Sequence, residues 1–350
     1  MHKTPLFATH LAHGADMETL GGWMMPATYG SDRDAAVAAE VARARAGVGL
    51  VDLASTALLT VQGEELQRWL NGMFTNKYAE MEPGQGARSV IVDDRGRVQG
   101  LVDWYCLDPQ RFLGVLEGVD AAWFEERFRM FMMLDDIECE AVAEQSLLHL
   151  CGPGVDGVLA ALGLPRPQAD HGHAAVGEGL RVMRKDRTGL GGVDLVVPRE
   201  VLDTTFAALR AAGASPMGHL ALDALRILAG RAAWPQDGTE KSMVHELRYN
   251  LDCVHFQKGC YLGQEVINRV ERVGGVKKKL TRLKLAQDAV PPLGAEVLLG
   301  EELVGSLSSV ARIGQEVWAL GTLREAAWTE GTSVQVRAGD RQVAATVHPV

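Results

Sequence analysis

The chain has 350 residues, of which 47% are hydrophobic and 23% charged, and a formal net charge of -10 at pH 7. This composition predicts a folded chain of two or three domains and excludes wholesale disorder. The negative charge argues against a protein that coats nucleic acid or an anionic membrane, because both require a cationic surface. The sequence shows neither a secretion signal nor an apolar stretch long enough to cross a bilayer, so we expect a cytoplasmic location.

The apolar spacing in the first half of the chain predicts mixed helices and strands. Val37 and Val41 lie one helical turn apart in an alanine-rich stretch that ends at Gly47. Asp and Gly residues at 93–96 predict a hairpin turn between antiparallel strands. The predicted helices are residues 34–46, 64–70 (stopped by Asn71 and Gly72) and 121–134, and the predicted strands are residues 49–53, 58–61, 88–92 and 98–107.

The second half of the chain changes from mixed structure to short strands. A buried strand is predicted at residues 195–197 and a helix at 200–212. Beyond Gly275, short Val- and Leu-rich segments alternate with Gly and Pro, which is typical of a small barrel or sandwich. We therefore predict an α+β region at residues 1–275 and an all-β domain at residues 276–350. The strands predicted in that domain are residues 280–285, 296–299, 303–310, 316–320, 333–337 and 342–347.

Residues 256–265 place a cation, a thiol, an amide and a carboxylate among glycines. If the backbone is extended there, Lys258 and Cys260 stand on the same face. A neighbouring ammonium favours the thiolate and lowers the pKa of a cysteine, so the pair predicts a reactive sulfur. The alternative is that Cys260 is a small buried residue in a glycine-rich turn and that Lys258 is solvated.

Residues 258–265 read K-G-C-Y-L-G-Q-E and resemble the K-G-C-[FY]-x-G-Q-E signature of YgfZ-type proteins. These proteins are tetrahydrofolate-binding factors for iron-sulfur cluster maturation, in the superfamily of the glycine-cleavage T-protein, an aminomethyltransferase. The resemblance implies an α+β fold of three domains in a ring, with antiparallel sheets and a C-terminal β-barrel. Two interleaved subdomains are implied within residues 1–275, roughly 48–140 and the remainder. Further similarity to T-proteins lies at residues 4–6, 22–26, 75–76, 83–85, 187–198 and 225–230.

The resemblance also implies a folate site. Asp194 falls where the transferases carry the glutamate that holds the pterin. A carboxylate suits the adjacent N–H donors of the pterin. The alternative is that Asp194 is an ordinary charged residue at a strand edge. Arg226 matches the family's L-R-x-x-x-G helix end, and a cation suits the anionic tail of folate. Tyr261 and Gln264, within the octapeptide, complete the expected folate contacts, and Lys277–Lys279 either meets a polyglutamate tail or forms a solvated face.

The chain departs from the transferases at their catalytic segment. The family's G-G-I-x-D-D segment corresponds here to residues 96–101, which read G-R-V-Q-G-L and lack the aspartate. Asp103 lies two or three residues later, which on a strand moves the carboxylate along the site or to the other face. A family tyrosine and a family arginine are replaced by Leu190 and Leu222. These differences argue against aminomethyl transfer by the family's usual chemistry.

Other chemical motifs are sparse. The five cysteines are odd in number and show no C-x-x-C spacing, which argues against disulfides and a structural zinc. His171 and His173 are expected in a solvated loop, and no metal site is predicted. The sequence contains no dinucleotide-binding or P-loop motif.

We therefore predict a tetrahydrofolate-binding protein that assists iron-sulfur cluster assembly or repair in client enzymes, with Cys260 as the working thiol and Lys258 tuning it. The alternatives are a folate-dependent aminomethyltransferase or related demethylating enzyme with a relocated carboxylate, and a non-catalytic scaffold. The expected cofactor is tetrahydrofolate or a one-carbon derivative. The expected partners are iron-sulfur client or assembly proteins, without nucleic acid or membrane, and the chain is expected to be a monomer.

Overall fold

The computed structural model describes residues 1–286, 290–339 and 341–350. The helices are α1 (Phe7–Ala12), α2 (Arg33–Ala46), α3 (Leu66–Met73), α4 (Ala121–Leu134), α5 (Val155–Ala161), α6 (Leu202–Ala211), α7 (His219–Leu228) and α8 (Gln264–Val273). The strands are β1 (His2–Lys3), β2 (Ala15–Leu20), β3 (Trp23–Tyr29), β4 (Gly49–Asp52), β5 (Leu58–Gln62), β6 (Gly86–Val92), β7 (Val98–Asp108), β8 (Arg111–Glu117), β9 (Glu138–Ala141), β10 (Gln145–Cys151), β11 (His173–Val176), β12 (Leu180–Arg184), β13 (Gly192–Pro198), β14 (Ser215–Pro216), β15 (Lys278–Leu285), β16 (Glu296–Leu299), β17 (Glu302–Ile313), β18 (Glu316–Arg324), β19 (Ser333–Ala338) and β20 (Arg341–His348).

The chain divides into two compact units, each built from separated segments. The first unit contains residues 1–71, 77–88 and 102–222, and the second contains residues 72–76, 89–101 and 223–350. The chain therefore passes from one unit to the other within α3, between residues 76 and 77, within β6 and β7, and within α7. The predicted division at residue 275, the interleaved subdomains and the three-domain ring stay predictions.

A six-stranded sheet with the order β11-β12-β13-β10-β4-β14 forms the centre of the first unit. Its strands β10 and β13 pair antiparallel over their full length and are buried along most of that length, with His149 and Asp194 among mainly apolar residues. Residues from β4, β10 and β13 pack with α5 and α6 in one core that includes the fully buried Leu50, Leu195 and Phe206. A second group of apolar residues, among them Tyr105 and Leu147, packs between strands of the same unit.

The C-terminal strands of the second unit close into a barrel with the order β15-β18-β17-β16-β19-β20. Alternate residues point inward, and Leu283, Val297 and Val336 are buried in its core. All six strands predicted in this region form at nearly the predicted positions, since Gly and Pro mark the ends of the short Val- and Leu-rich segments. The α+β fold class with antiparallel sheets and a C-terminal barrel is confirmed.

Several elements differ from the sequence prediction. Helix α3 runs on to Met73 instead of stopping at Asn71, because the Gly72 carbonyl accepts from the Leu262 N–H at 3.1 Å and Gly72 does not adopt the left-handed conformation of a helix stop. Strand β8 was not predicted; its five central residues, 112–116, carry no polar side chain between Arg111 and Glu117. Strand β10 was also missed, and both strands carry residues of the candidate site. Within the described ranges, no helix has the length and apolar character required to cross a membrane.

Gly218 is required by close backbone packing in the first unit. A Cβ at this position would lie 2.0 Å from the Ala27 carbonyl oxygen, a contact that only a backbone shift can relieve. We expect Gly218→Ala to lower the free energy of unfolding by at least about 1–3 kcal/mol. Gly157→Ala is the control, because a Cβ there meets no atom within 4 Å, and we expect it to be neutral or slightly stabilising. Equal urea midpoints for the two variants would contradict this.

Candidate functional site

Asp194 lies at the centre of a buried ion pair in the first unit. It stands on β13 directly opposite His149 of β10, and its side chain is 0% exposed. His149 Nδ1 is 2.8 Å from Asp194 Oδ1, and Arg187 donates from Nε to Oδ1 at 3.0 Å and from Nη2 to Oδ2 at 2.7 Å. Both carboxylate oxygens are therefore engaged by side chains of the protein itself.

The electrostatics of this pair favour the ionised forms. Burial alone would raise the pKa of Asp194, but the charge of Arg187 and the hydrogen bond from His149 outweigh it and hold the pKa at about 2. The pKa of Arg187 is raised in turn, because Asp194 overcomes the cost of burying the guanidinium. Asp194 is thus a permanent anion at neutral pH.

Asp103 forms a second buried charge cluster in the same unit. It lies on β7 with its side chain 3% exposed. Lys185 donates to Oδ1 at 2.5 Å, His171 Nε2 lies 3.1 Å from the same oxygen, and Arg88 donates to Oδ2 at 3.3 Å. Two cations and an imidazole therefore surround one carboxylate.

This cluster shifts the pKa of each of its members. Burial would raise the pKa of Asp103, but Lys185 and Arg88 dominate and lower it well below its usual value. Burial and the nearby Arg88 lower the pKa of Lys185 against the pull of Asp103. Burial and Lys185 act to lower the pKa of His171, yet its bonds to Asp103 and Asp170 leave it raised. The histidine is thereby biased toward its charged form.

Glu117 and Tyr105 connect the two carboxylate clusters. Glu117, at the end of β8, accepts from Arg88 at 2.5 Å, and its side chain is 27% exposed. Arg88 and Arg187 both lower the pKa of Glu117 against the effect of burial. Burial raises the pKa of Tyr105, and the charges of Asp103 and Asp194 raise it further. Together these groups form a buried polar cluster, defined by Arg88, Asp103, Tyr105, Glu117, His149, His171, Lys185, Arg187 and Asp194.

Two atoms of the buried polar cluster lack a hydrogen-bond partner among the described residues. They are the hydroxyl of Tyr105 and Nε2 of His149. A buried polar atom without a partner costs about 1–3 kcal/mol, so such atoms usually bind a water or a ligand. The cluster thus offers anions, cations and unsatisfied polar atoms to a polar molecule.

Residues 256–263 of the second unit form turns rather than a strand, so the alternation that placed Lys258 beside Cys260 does not apply. Lys258 Nζ donates to the carbonyls of Phe74 and Asn76, both at 2.6 Å, and lies 4.8 Å from the centre of the Tyr261 ring. Lys258 is therefore half-buried and held by backbone carbonyls. Among the described residues its hydrogen bonds do not include the Cys260 thiol, and its tuning of that thiol stays a prediction.

The rest of the octapeptide leads into α8. Cys260 is exposed, which rules out the alternative of a buried structural cysteine. Tyr261 is buried, and Gln264 begins α8 and donates to the Gly259 carbonyl at 3.3 Å. Gly263 has a φ of 78°, and a Cβ there would lie 2.6 Å from the Asp93 carbonyl oxygen, so glycine is required. The folate contacts expected of Tyr261 and Gln264 stay predictions.

Burial lowers the pKa of Lys258 to about 7, although the two carbonyls and the Tyr261 ring favour the ammonium. We expect NMR of the reductively ¹³C-methylated protein to show a lysine signal that titrates well below those of the exposed lysines and is lost in Lys258→Arg. The unfolded chain binds this proton more tightly, so the group adds stability as pH rises from about 7 toward 10.5. A titration of Lys258 together with the exposed lysines would contradict this.

Arg226 of α7 lies in a separate buried network of the second unit. It donates to Asp237 at 2.6 Å, to Asp223 at 2.6 Å and to Ser309 at 2.7 Å, and its side chain is 9% exposed. These contacts join α7 to β17 of the barrel. The guanidinium is occupied by internal partners, and its predicted contact with a folate tail stays a prediction.

The structure shows the surroundings of two other groups discussed in the sequence analysis, the histidine pair and the lysine run. His171 and His173 do not lie in a solvated loop: His171 bonds to Asp103, and buried His173 lies 2.9 Å from the Cys106 carbonyl. Both histidines are drawn inward by partners that come from distant parts of the sequence. In the lysine run, Lys278 lies 3.9 Å from Glu246 and Lys279 stacks over Trp328, so these side chains are only partly solvated.

Sequence reasoning missed most of the buried polar cluster. Arg88, Glu117, His149 and Lys185 belong to no short motif and meet only through strand pairing. A signal did exist at Asp103, because one carboxylate within the apolar run Leu101–Tyr105 must be paired when it is buried. The sequence does not name the partner.

Comparison with known proteins identifies the family to which the chain is similar. The family model described as "GCVT N-terminal domain" matches residues 6–258. Aminomethyltransferases of Thermosynechococcus vestitus and Thermus thermophilus are 27% and 28% identical to the whole chain, which covers 94% and 98% of their lengths. The aminomethyltransferase of Mycobacterium tuberculosis is 29% identical over 87% of this chain and 83% of its own length.

A solved structure shows the same fold. The glycine cleavage system aminomethyltransferase T from Bartonella henselae aligns with a TM-score of 0.89 at 23% identity, covering 99% of this chain and 97% of that one. Because the family model spans well over half of the residues, the chain belongs to the GCVT family, the superfamily of the glycine-cleavage T-protein.

Proposed function

We propose that the chain binds tetrahydrofolate or a one-carbon derivative at the buried polar cluster of the first unit and acts in folate-dependent one-carbon chemistry. The proposal is carried by this cluster, which combines three carboxylates with the unpartnered Tyr105 hydroxyl and His149 Nε2. It is supported by the full-length similarity to proteins named aminomethyltransferase. A pterin offers adjacent N–H donors and carbonyl acceptors, which suit such a mixture of groups.

Two carboxylates are candidates for holding the pterin edge. Asp194 matches the family position, but Arg187 and His149 already engage both of its oxygens. Glu117 is the more exposed carboxylate, and its described hydrogen bond occupies only one oxygen. We infer that Glu117 accepts the ligand's donors, while Asp194 holds Arg187 and His149 in place behind it.

Calorimetric titration with tetrahydrofolate tests the binding site. We expect saturable binding to the wild type and a loss of at least about tenfold in affinity for Glu117→Gln, because a charge-assisted hydrogen bond contributes about 1.5–3 kcal/mol. Glu178→Gln is the matched control, since Glu178 is exposed and lies outside the cluster. Absence of binding to the wild type would refute the folate proposal and favour the scaffold.

Aminomethyl transfer is the activity favoured by the named relatives, with Asp103 as the relocated carboxylate. The low pKa of Asp103 makes it a weak proton acceptor at neutral pH, so it would stabilise developing positive charge rather than remove a proton. We expect methylenetetrahydrofolate to form from an aminomethylated lipoyl carrier, and Asp103→Asn to slow this at least about a hundredfold. Failure of the wild type with several amine donors would exclude transfer.

A second candidate function, iron-sulfur cluster assembly or repair, is favoured by one specific observation. Cys260 is exposed at the start of α8, within the octapeptide that resembles the YgfZ-type signature. An accessible thiol is what chemistry on a client protein or cluster requires. In a strain lacking this chain, we expect four-iron enzymes to lose activity and only wild type to restore it. Full rescue by Cys260→Ala, or a defect confined to glycine cleavage, would remove this candidate.

A further inference from the structure

A small cavity in the first unit is lined by basic and hydroxyl groups. None of its lining residues belongs to the buried polar cluster. Its volume is about 200 Å³. The lining comes from the end of α1, the end of β3, α2, α6 and β14. The residues are His13, Tyr29, Arg43, Arg210, Ser215 and Pro216.

The two guanidiniums of this cavity, those of Arg43 and Arg210, have no direct ion-pair partner among the described residues. Arg210 Nη1 donates to His13 Nε2 at 2.7 Å, and its Nε has no hydrogen-bond partner within the described chain. Burial and the charge of Arg210 lower the pKa of His13. Arg210 therefore has an imidazole as its hydrogen-bonded neighbour, where an anion would be more stabilising.

Burial raises the pKa of Glu40 and the charge of Arg43 acts against this, but among the described residues Glu40 forms no ion pair with either guanidinium. Glu40 of α2 accepts from the backbone N–H groups of Tyr29 at 2.5 Å and Gly218 at 2.9 Å, which fixes both of its oxygens. Its role is to satisfy the backbone where β3 and α7 approach α2. The cavity is thus left with two positive groups and no carboxylate in its lining.

Tyr29 contributes a hydroxyl group to the cavity, and a hydrogen bond to the buried His10 orients it. Its oxygen lies 2.7 Å from His10 Nδ1, and His10 Nε2 lies 2.9 Å from Asp52 Oδ2. His10 and the Asp52 side chain are fully buried, and Thr4 donates to the same carboxylate. This chain of hydrogen bonds holds the tyrosine oxygen at the cavity wall without occupying all of its bonding capacity.

From this arrangement we propose that the cavity is a binding site for a phosphate-type oxyanion, either inorganic phosphate or the phosphoryl group of a small monoester. Arg43 and Arg210 supply the two positive charges that match a dianion, and Tyr29 and Ser215 supply neutral hydroxyl contacts. The lining shares no residue with the buried polar cluster proposed to bind folate.

Titration with inorganic phosphate, at ionic strength held constant with sodium chloride, tests the site. By calorimetry and thermal unfolding we expect saturable binding to the wild type, weakened at least about tenfold in Arg43→Gln and abolished in Arg43→Gln/Arg210→Gln. Arg45→Gln is the matched control, because Arg45 is an exposed residue of the same helix outside the lining. Acetate, with one charge, should bind at least about tenfold more weakly than phosphate.

The proposal fails if the wild type shows no saturable phosphate response. It also fails if the double variant responds as the wild type does, or if acetate and phosphate bind equally well. Arg43 is exposed, so Arg43→Gln leaves the core intact and gives a result even if the double variant does not fold. Glycerol phosphate then distinguishes the two sources: displacement of bound phosphate supports a monoester, and no displacement supports the free ion.

Discussion

Asp194→Asn will lower the free energy of unfolding by about 3–5 kcal/mol, because it leaves the buried guanidinium of Arg187 without its hydrogen-bonded carboxylate. The substitution keeps the side-chain volume, so the loss reports charge rather than packing. Urea unfolding of both proteins at pH 7 measures it. The matched control is Asp156→Asn, whose partner Arg166 is 51% exposed; we expect it to cost no more than about 1 kcal/mol.

Asp194→Asn will also change how the free energy of unfolding depends on pH in acid. The folded-state pKa of Asp194 is about 2, below its usual value of 3.8. Its contribution is therefore present above pH 4 and is lost as pH falls from about 4 to about 2. Asp194→Asn lacks this contribution, and its stability should fall less steeply over that interval. If the free energies of unfolding of the two proteins fall equally steeply between about pH 4 and about pH 2, Asp194 is not the stabilised anion.

Lys185→Met will destabilise the first unit by a similar amount, about 3–5 kcal/mol, because Asp103 then stays buried with only the more distant Arg88 and His171 as partners. Chemical denaturation at pH 7 gives the value. The control Lys278→Met removes a lysine that is 48% exposed and 3.9 Å from its acidic partner, and we expect little change.

A double variant separates charge pairing from packing at this position. Lys185→Met/Asp103→Leu removes both members of the ion pair and replaces them with apolar side chains. We expect it to recover most of the stability lost in Lys185→Met, since an uncompensated buried carboxylate causes the loss. If the double variant loses as much free energy of unfolding as the two single variants lose together, packing rather than charge is responsible.

The sequence predicts elements with regular spacing well. Helices α2 and α4 and the barrel strands were found because an apolar face repeats every 3.6 or 2 residues and glycine or polar turns mark the ends. Strand β8 has no alternation, since it is buried on both faces, and short apolar runs of this kind do not distinguish strand from helix.

The candidate site was predictable only in part. Asp194 could be found from its place in a family segment, and Cys260 and Lys258 from a compact motif. Arg88, Glu117, Lys185 and His149 act together only because strands distant in sequence lie beside one another, which no local pattern encodes. For the same reason the sequence could not show that Asp194 and Arg226 already have internal partners, or that Lys258 binds backbone carbonyls.

The segmented construction of the second unit affects how the chain can be made and divided. Its core joins Val90 and Val98 to residues beyond 230, including Leu247 and Ile267. A ribosome must therefore synthesise more than 260 residues before this core has all its members, so the early segments remain without their partners during translation. A fragment that starts at residue 223 would expose the apolar surface that Val90 and Val98 normally cover. Expression of isolated halves should give aggregation, whereas the whole chain folds as a set of interdependent segments.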